Sequence, residues 1–421
     1  MHESRSTRGR VSRALAGLAL AACASAAAAQ AAAAGQAPSL GQAFEAAWAR
    51  QPEAQALPAR RDAALARQRA SRAWSPEAPA LELAARTDRL NDNLGTQELE
   101  VGVAMPLWLP GERARSEALA QAESDAVDSL ALGARLRVAA DVREAWWGWH
   151  RARIEAEVAS LQLDNARRIA ADVARRVGAG ELARADRHQA DGAVAAAESG
   201  LAQARASAST ALQRLRAVTG LALRPADAGD AAPEPLPERA APQAAEHGAL
   251  RELADRAEVA DRTAALAATQ RRANPELLLA ATRERDAFGE PHRQSITLGV
   301  RIPFGAGPRA DARIAAARAE ALAARARLAL ERERLLAERE AAGARVDSAR
   351  MQLAAAERRL ELARESRGFF EKSFRLGETD LPTRLRIEAE AAEAERQAAR
   401  ARVELAAAIS ALRQVLGLLP Q

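Results

Sequence analysis

Two periods of apolar residues run along the chain, and each occurs twice. In QELEVGVAMPL, residues 97–107, Leu99, Val101, Val103 and Met105 alternate with Glu98, Glu100, Gly102 and Ala104. In SITLGVRIPF, residues 295–304, Ile296, Leu298, Val300 and Ile302 alternate with Ser295, Thr297, Gly299 and Arg301. A period of two predicts a strand with one apolar and one polar face. A weaker strand candidate precedes each, LELAARTD at 81–88 and LLLAATRER at 277–285, across the polar turns RLNDNLG and DAFGEPHRQ. Strand hairpins are therefore expected at 81–107 and 277–304.

After each hairpin the period lengthens. No proline lies between Pro110 and Pro225 or between Pro308 and Pro382, and helix formers fill both stretches. Helices over 112–177 and 309–374 follow, each roughly 100 Å long at about 1.5 Å per residue, too long for a compact globule. In the first, Val138, Val142, Ala145, Trp149, Ala152, Ala156, Ala159, Leu163, Ala166, Ala170, Val173 and Val177 form an unbroken heptad seam. The second seam runs from Leu335 through Ala342, Val346, Ala349, Leu353, Ala356, Leu360, Ala363 and Phe370 to Phe374, interrupted only by Arg339 and Arg367. Alanine at so many seam positions lets backbones approach closely, which favours a wall of side-by-side helices. Each long helix stops at a glycine-centred turn, VGAGEL at 177–182 and RLGETDLP at 375–382, and a return helix follows at 181–220 and 378–417. One amphipathic helix precedes each hairpin, at 39–72 and 249–272. The segment 222–247, with five prolines, reads as a connector.

These two sets of elements are copies. Sliding the sequence by 197 places Val103 and Pro106 on Val300 and Pro303, Gly180 and Glu181 on Gly377 and Glu378, and Leu215, Val218 and Gly220 on Leu412, Val415 and Gly417. Loops accept insertions more readily than packed elements, so equal length marks 39–220 and 249–417 as two equivalent structural repeats.

Composition narrows the class. Of 421 residues 28% are charged with both signs interleaved, aromatics are 3% and tyrosine is absent, the profile of long helices. The net charge is +5, and Arg5, Arg8, Arg10 and Arg13 against Glu3 supply most of it; no basic block remains for nucleic acid. The arginine-bearing start, the apolar stretch Val11 to Ala22 and the small residues after it have the layout of a secretory signal. Two endings are open: cleavage after Ala29 (signal 1–29), or lipidation of Cys23 in LAAC (signal 1–22). Either leaves no disulfide, and after Ala22 no apolar run reaches the ~18 residues of a membrane helix.

Strands of about nine to eleven residues with one apolar face have the dimension of an outer-membrane barrel, yet single-chain barrels start at about eight strands. Four strands leave open edges that lipid cannot satisfy. The chain must share its barrel: two copies would fill the lumen with side chains, three would leave a passage.

The tip strings GAGELARAD and SFRLGETDLPTRLRIEAEA, with SLGQAFEAAWARQPE near residue 39 and LRQVLGL at the end, resemble the TolC-like outer-membrane factors over essentially the whole mature chain. The second tip is similar to the heavy-metal, CzcC-like branch. The resemblance implies a mainly α fold with a membrane β part: four strands per protomer completing a twelve-stranded trimeric barrel, continued by a long periplasmic helical barrel. It also implies a homotrimer in outer-membrane lipid whose tips dock on a periplasmic adaptor linked to an inner-membrane RND pump. The tip residues are Gly178, Gly180, Glu181, Leu182 and Asp186 in the first half, and Leu376, Gly377, Glu378, Thr379, Asp380, Leu381 and Pro382 in the second. The family's acidic entrance positions, aligned from Gly377, fall on Thr383 and Arg386, while Asp186 keeps its acid. A ring of Arg386 would oppose cations, so the entrance gate stays unassigned.

Candidate chemistry adds little beyond a passage. The five histidines and three methionines lack metal-site spacing, and no nucleophile, paired carboxylate or phosphate loop stands in a catalytic context. No cofactor, resident metal or nucleic-acid partner is expected. His150 reads as a helix-surface or seam neighbour, and Trp146, Trp147 and Trp149 as packing between helices. Glu98, Glu100 and Arg301 are candidates to line the lumen, Trp108 and Phe304 to sit at the membrane interface, and Thr379 and Asp380 to cap the return helix or meet an adaptor. The expected function is a passive exit duct for divalent metal cations, with multidrug or type I secretion export as the nearest rival and a poreless periplasmic coiled-coil scaffold as the alternative from another class.

Overall fold

The fold is that of a computed structural model, in which residues 38–224, 233–237, 247–305 and 307–421 are described. The candidate signal 1–29, with Cys23, and most of the 222–247 connector lie outside the described residues. The described elements are α1 Leu40–Ala49, α2 Pro52–Ser71, β1 Ala80–Thr87, β2 Gln97–Pro106, α3 Glu112–Gly178 and α4 Arg184–Thr219, then α5 Gly248–Thr269, β3 Glu276–Arg285, β4 Arg293–Arg301, α6 Pro308–Arg375 and α7 Leu381–Val415.

Local chemistry explains where the elements start and stop. Ser39 opens α1 with a reciprocal capping box, its Oγ accepting from Gln42 N while Ser39 N donates to Gln42 Oε1. The single helix expected over 39–72 is two helices. Gln51 precedes Pro52, and the proline ring drives that residue into extended backbone (φ −72°, ψ 139°). The return helices begin at Arg184 and Leu381, three residues later than 181 and 378, because each glycine turn needs a full five-residue link. Every seam position of α3 and α6 is buried or half-buried. Of the two arginines in the second seam, Arg367 reaches Glu395 at 3.5 Å and Arg339 lines a small cavity with His247 and Leu250.

The helices form a wall in the order α4, α3, α7, α6, while α2 lies along α3 and α5 bridges α3 to α6. The four strands make one antiparallel sheet in the order β1-β2-β3-β4, with Leu81, Leu83 and Ala85 opposite Val103, Val101 and Leu99 in β2. The β2–β3 pairing joins the two repeats. Just below the sheet, buried Glu112 fastens that joint: it accepts from Leu109 N (2.9 Å), Gln270 Nε2 (2.7 Å) and Asn274 Nδ2 (2.7 Å). No described helix is long and apolar enough to cross a membrane.

The largest apolar core gathers Phe44 of α1, Val138, Val142 and the three tryptophans of α3, Leu212 and Leu215 of α4, and Val403 and Ala406 of α7. Trp146 and Trp149 meet edge to face at 6.2 Å. His150 is not on the helix surface: it is 1% exposed, its ring 4.9–5.8 Å from all three indoles. Neither of its nitrogens has a hydrogen-bond partner among the described residues. Burial, and secondarily the charge of Arg153, push its pKa down to about 4, so it is a neutral aromatic filler at neutral pH.

A second buried feature escaped the sequence pattern. Glu234 of the connector accepts from Arg143 of α3 (Nε 3.1 Å, Nη2 2.8 Å) and from Arg413 Nε of α7 (3.1 Å), and Ser410 donates to it as well. Arg143 also reaches Gln414 Oε1 (2.6 Å) and Leu418 O (3.0 Å). All three charged side chains are buried, so connector, first half and second half are pinned at one point. A glutamate set between Pro233 and Pro235 was the only available signal.

Candidate functional site

Two places concentrate the exposed chemistry of the protein: the faces of the sheet and the tips of the helical hairpins. On the sheet, the register sorts residues by face without exception among the large apolar ones of β1, β2 and β4. Leu81, Leu83, Leu99, Val101, Val103, Leu279, Ile296, Leu298 and Val300 share one face, and all are exposed, Ile296 at 79% and Leu298 at 70%. On central strands β2 and β3 this apolar face is the more exposed one, whereas Gly102, Ala104 and Ala280 on the other face are buried. The apolar face is thus the convex one. An apolar convex surface on a sheet with two unpaired outer edges is unstable in water and belongs in hydrocarbon.

The opposite, concave face holds Glu82, Glu98, Glu100, Glu276 and Glu284 against Arg86, Arg293 and Arg301. Carboxylates outnumber guanidiniums. Arg301 is paired with Glu276 at 2.9 Å and Arg293 with Asp286, which leaves Glu82, Glu98, Glu100 and Glu284 without a salt bridge among the described residues. Trp108, half-buried at the foot of β2, donates from Nε1 to Ala73 O (3.1 Å), and Phe304, at the foot of β4, is 94% exposed.

At the other end, the two tips are the same turn built twice. In the first, Ala179, Gly180 and Glu181 donate their N–H groups to Arg175, Val177 and Arg176; in the second, Leu376, Gly377 and Glu378 donate to Lys372, Phe374 and Ser373. Gly180 and Gly377 adopt φ of 84° and 81°, the left-handed conformation that closes a Schellman motif and that side chains resist. The polar furniture differs. Gly178 ends α3, Glu181 pairs with Arg176 at 3.0 Å, and Asp186 accepts from Ala183 N at 3.0 Å. In the second tip Glu378 and Thr379 meet the Ser373 hydroxyl (3.3 and 2.6 Å), and Pro382 lies in the first turn of α7. Asp380 is the N-cap of α7, accepting from Thr383 N at 3.1 Å, and the donors of Thr383 hold its carboxyl below the usual range.

Not every tip residue is available to a partner. Leu381, 2% exposed, and half-buried Leu182 pack with Ile169, Val173, Ala190 and Phe374 in a small core that glues the tips together. The Phe374 ring lies between the guanidiniums of Arg176 (4.7 Å) and Arg384 (4.6 Å), and Arg176 also donates to Phe374 O (3.1 Å). This stack went unread in the sequence, although Phe374 stood in the seam. Leu376, 74% exposed, is the apolar residue the second tip offers. Of the candidate gate residues, Thr383 is half-buried, while Arg386 is exposed and tied to Glu390 at 2.7 Å, so its charge does not stand alone. Among the described residues no cluster of three or more His, Cys, Asp or Glu side chains could hold a metal ion.

An edge-open sheet with an apolar convex face, above paired helical hairpins that end in twin tips, is the protomer fold of the TolC-like outer-membrane channels. Residues 43–221 match the family described as outer membrane efflux protein. No curated protein sequence matches the chain. Among solved structures, the outer membrane protein VceC of Vibrio cholerae superposes with a TM-score of 0.69 at 18% identity, covering 90% of this chain and 96% of VceC. The CmeC outer membrane channel of Campylobacter jejuni gives 0.72 at 13% identity over 91% and 86%. The MtrE outer membrane channel of Neisseria gonorrhoeae, in its open state, gives 0.70 at 16% identity over 90% and 89%.

Proposed function

We propose that the protein is the outer-membrane component of a tripartite efflux system, a passive homotrimeric exit duct whose cargo is divalent metal cations. The sheet lies in the outer membrane and the helices reach into the periplasm. Three sheets of four strands close one barrel, and three helical walls continue it as a tunnel. The observation that carries this reading is the two-faced sheet: the convex side suits lipid, the open edges require other copies, and the concave side is wet and rich in carboxylates. The surplus of Glu82, Glu98, Glu100, Glu276 and Glu284 over three arginines favours cation passage. The likeness of the second tip to the heavy-metal branch points the same way. The tips, with exposed Glu181, Leu376 and Glu378, are the surface for a periplasmic adaptor linked to a proton-driven RND pump, which supplies selectivity and energy.

Planar-bilayer recording of the purified trimer tests the duct. Cation-preferring pores are expected, and the preference should fall when Glu98 and Glu100 are changed to Gln. Material that stays monomeric and forms no pores would remove the proposal. Deletion of the gene should sensitise cells to zinc, cobalt or cadmium; sensitivity to organic toxins alone would transfer the cargo to the multidrug class.

A further inference from the structure

The apolar face of the sheet is not closed off in the same way on both hairpins. At the turn end, away from the helices, the first hairpin finishes its convex face with uncharged Ala85 and Thr87 opposite Leu99 and Gln97. The second finishes the same face with Arg283, opposite Leu99 and Gln294, and Arg285, opposite Gln97. Arg283 is exposed and has no ion-pair or hydrogen-bond partner among the described residues. Arg285 is held in place, its Nε donating to Gly95 O (3.2 Å) and its guanidinium 5.5 Å from the Phe288 ring. His292, the next residue along that row, is held below the usual imidazole range by desolvation and by the charges of Arg283 and Arg285. Arg283 and Arg285 thus stand two residues apart on one face, at the end of the sheet where His292 leads into β4, with the neighbouring carboxylate, Glu284, on the opposite face.

An arginine on a lipid-facing strand is costly in mid-bilayer and nearly free at the headgroup level. From the row of Met105 and Leu277 to that of Leu99 and Arg283 is six residues, or roughly 20 Å along the strand at about 3.3 Å per residue. The arginines thus fall at the rim of the apolar band and on the side away from the helices. On the orientation adopted under the proposed function, that rim is the outer leaflet.

We propose that Arg283 and Arg285, with His292, form a docking site for the phosphate groups of an anionic glycolipid of the outer leaflet, one site on each protomer. The guanidinium forks match phosphate geometry, and the fixed Arg285 positions the site while free Arg283 supplies the unpaired charge. Beyond Arg86 on the concave face, the first hairpin has a single arginine at that end, Arg89 in its turn, and no pair on the apolar face, so lipid would order around the barrel at three places.

Native mass spectrometry of the delipidated full-length trimer, with a diphosphorylated glycolipid, its dephosphorylated form and inorganic phosphate as separate probes, tests this. Retention of the diphosphorylated form is expected, weakened about fivefold by Arg283→Gln, the effect of one arginine at an anionic lipid surface, and only partly restored by Arg283→Lys, which returns the charge without the fork. Arg86→Gln, at the same height on the concave face, is the control and should leave retention unchanged. Equal retention of the phosphate-free glycolipid, equal loss in the Arg86 variant, or capture of inorganic phosphate in place of the lipid would each overturn the site. Pore formation in phosphate-free bilayers separates the two readings: pores without phosphate-dependent retention sink the lipid site alone, whereas absence of pores sinks the duct and the orientation the site rests on.

Discussion

Helices α3 and α6 are the same object in sequence, yet they live in different surroundings. They have nearly equal length and seams in register at an offset of 197, but α3 buries twenty residues and α6 eight. Leu161 is the one large apolar side chain that α3 leaves exposed, whereas α6 exposes Leu322, Leu330, Leu336, Met351, Leu362 and Phe369. The two hairpins share one geometry; what differs is the neighbourhood. Helix α3 is the spine of the protomer, walled by α2, α4, α5 and α7, and it has filled its surroundings with indoles. Helix α6 is an edge, and its bare apolar side is what a neighbouring copy would cover in the proposed trimer.

The hardest way to break this comparison is at the joint between the halves. Glu234→Ala would leave Arg143 and Arg413 buried without their shared carboxylate, and should cost about 3–5 kcal/mol in denaturant unfolding. Replacing all three charged residues together with apolar side chains of similar volume should cost far less, because the network owes its weight to desolvation, not to attraction. A triple variant as unstable as the single one would mean that the joint is held by charge after all. Next comes the spine against the edge. Trp149→Ala, in the aromatic cluster, should cost about 3–5 kcal/mol. Its counterpart 197 residues on, Val346→Ala, should cost about 1.5 kcal/mol, the burial of two methyl groups. Equal losses would dissolve the distinction between the two helices.

The same cluster should give the protein an acid sensitivity that the second half lacks, since the counterpart of His150 is Asp347, an exposed residue. Above the ordinary imidazole range His150 is neutral in both folded and unfolded chains and pH has no purchase on it. As pH falls through that range the unfolded chain takes a proton that the core refuses down to about 4. Stability is lost across that window, by roughly 3 kcal/mol in total. Substituting His150→Phe should flatten that part of the pH profile and spare the cost of two unpaired buried nitrogens. An unchanged profile in the variant would show that the imidazole is hydrated or partnered in solution.

Much of this was legible in residues. The alternation at 97–107 and 295–304, the proline-free stretches and the twin glycine turns announced strands, long helices and tips, because each depends on local backbone chemistry. What the pattern could not carry was the set of contacts between distant segments. Glu234 lies in a proline-rich stretch that looks like solvated linker, and only the approach of α3 and α7 turns it into the acceptor for two arginines. His150 sits one residue off the heptad seam, a place that is surface on an isolated pair of helices; α1 and α7 closing over α3 make it core. Arg386 alone opposes cations, whereas one turn further along the helix Glu390 answers it. Charge at a site is a property of the fold more than of the position.

The finest comparison is between the two tips, where the backbone turn is identical and the caps are complementary halves of one device. A full capping box needs an acceptor at the N-cap and another three residues on. The first tip has only the second acceptor: Ala183 cannot accept, and Asp186 reaches back to Ala183 N. The second tip has the N-cap acceptor, Asp380, and a threonine, Thr383, where Asp186 would be. Substituting Asp380→Ala should therefore loosen the start of α7 by about 1 kcal/mol, and Asp186→Ala the start of α4 by about 0.5 kcal/mol, the value of an acid near a helix N-terminus. Because tips open locally long before the whole protein unfolds, amide hydrogen exchange over 181–190 and 378–387 is the measurement that resolves such small steps. Completing the first box with Ala183→Asp should raise protection at that tip alone. If instead both tips respond together, the Arg176–Phe374–Arg384 stack couples them into one unit, and whatever docks on one tip will be felt by the other.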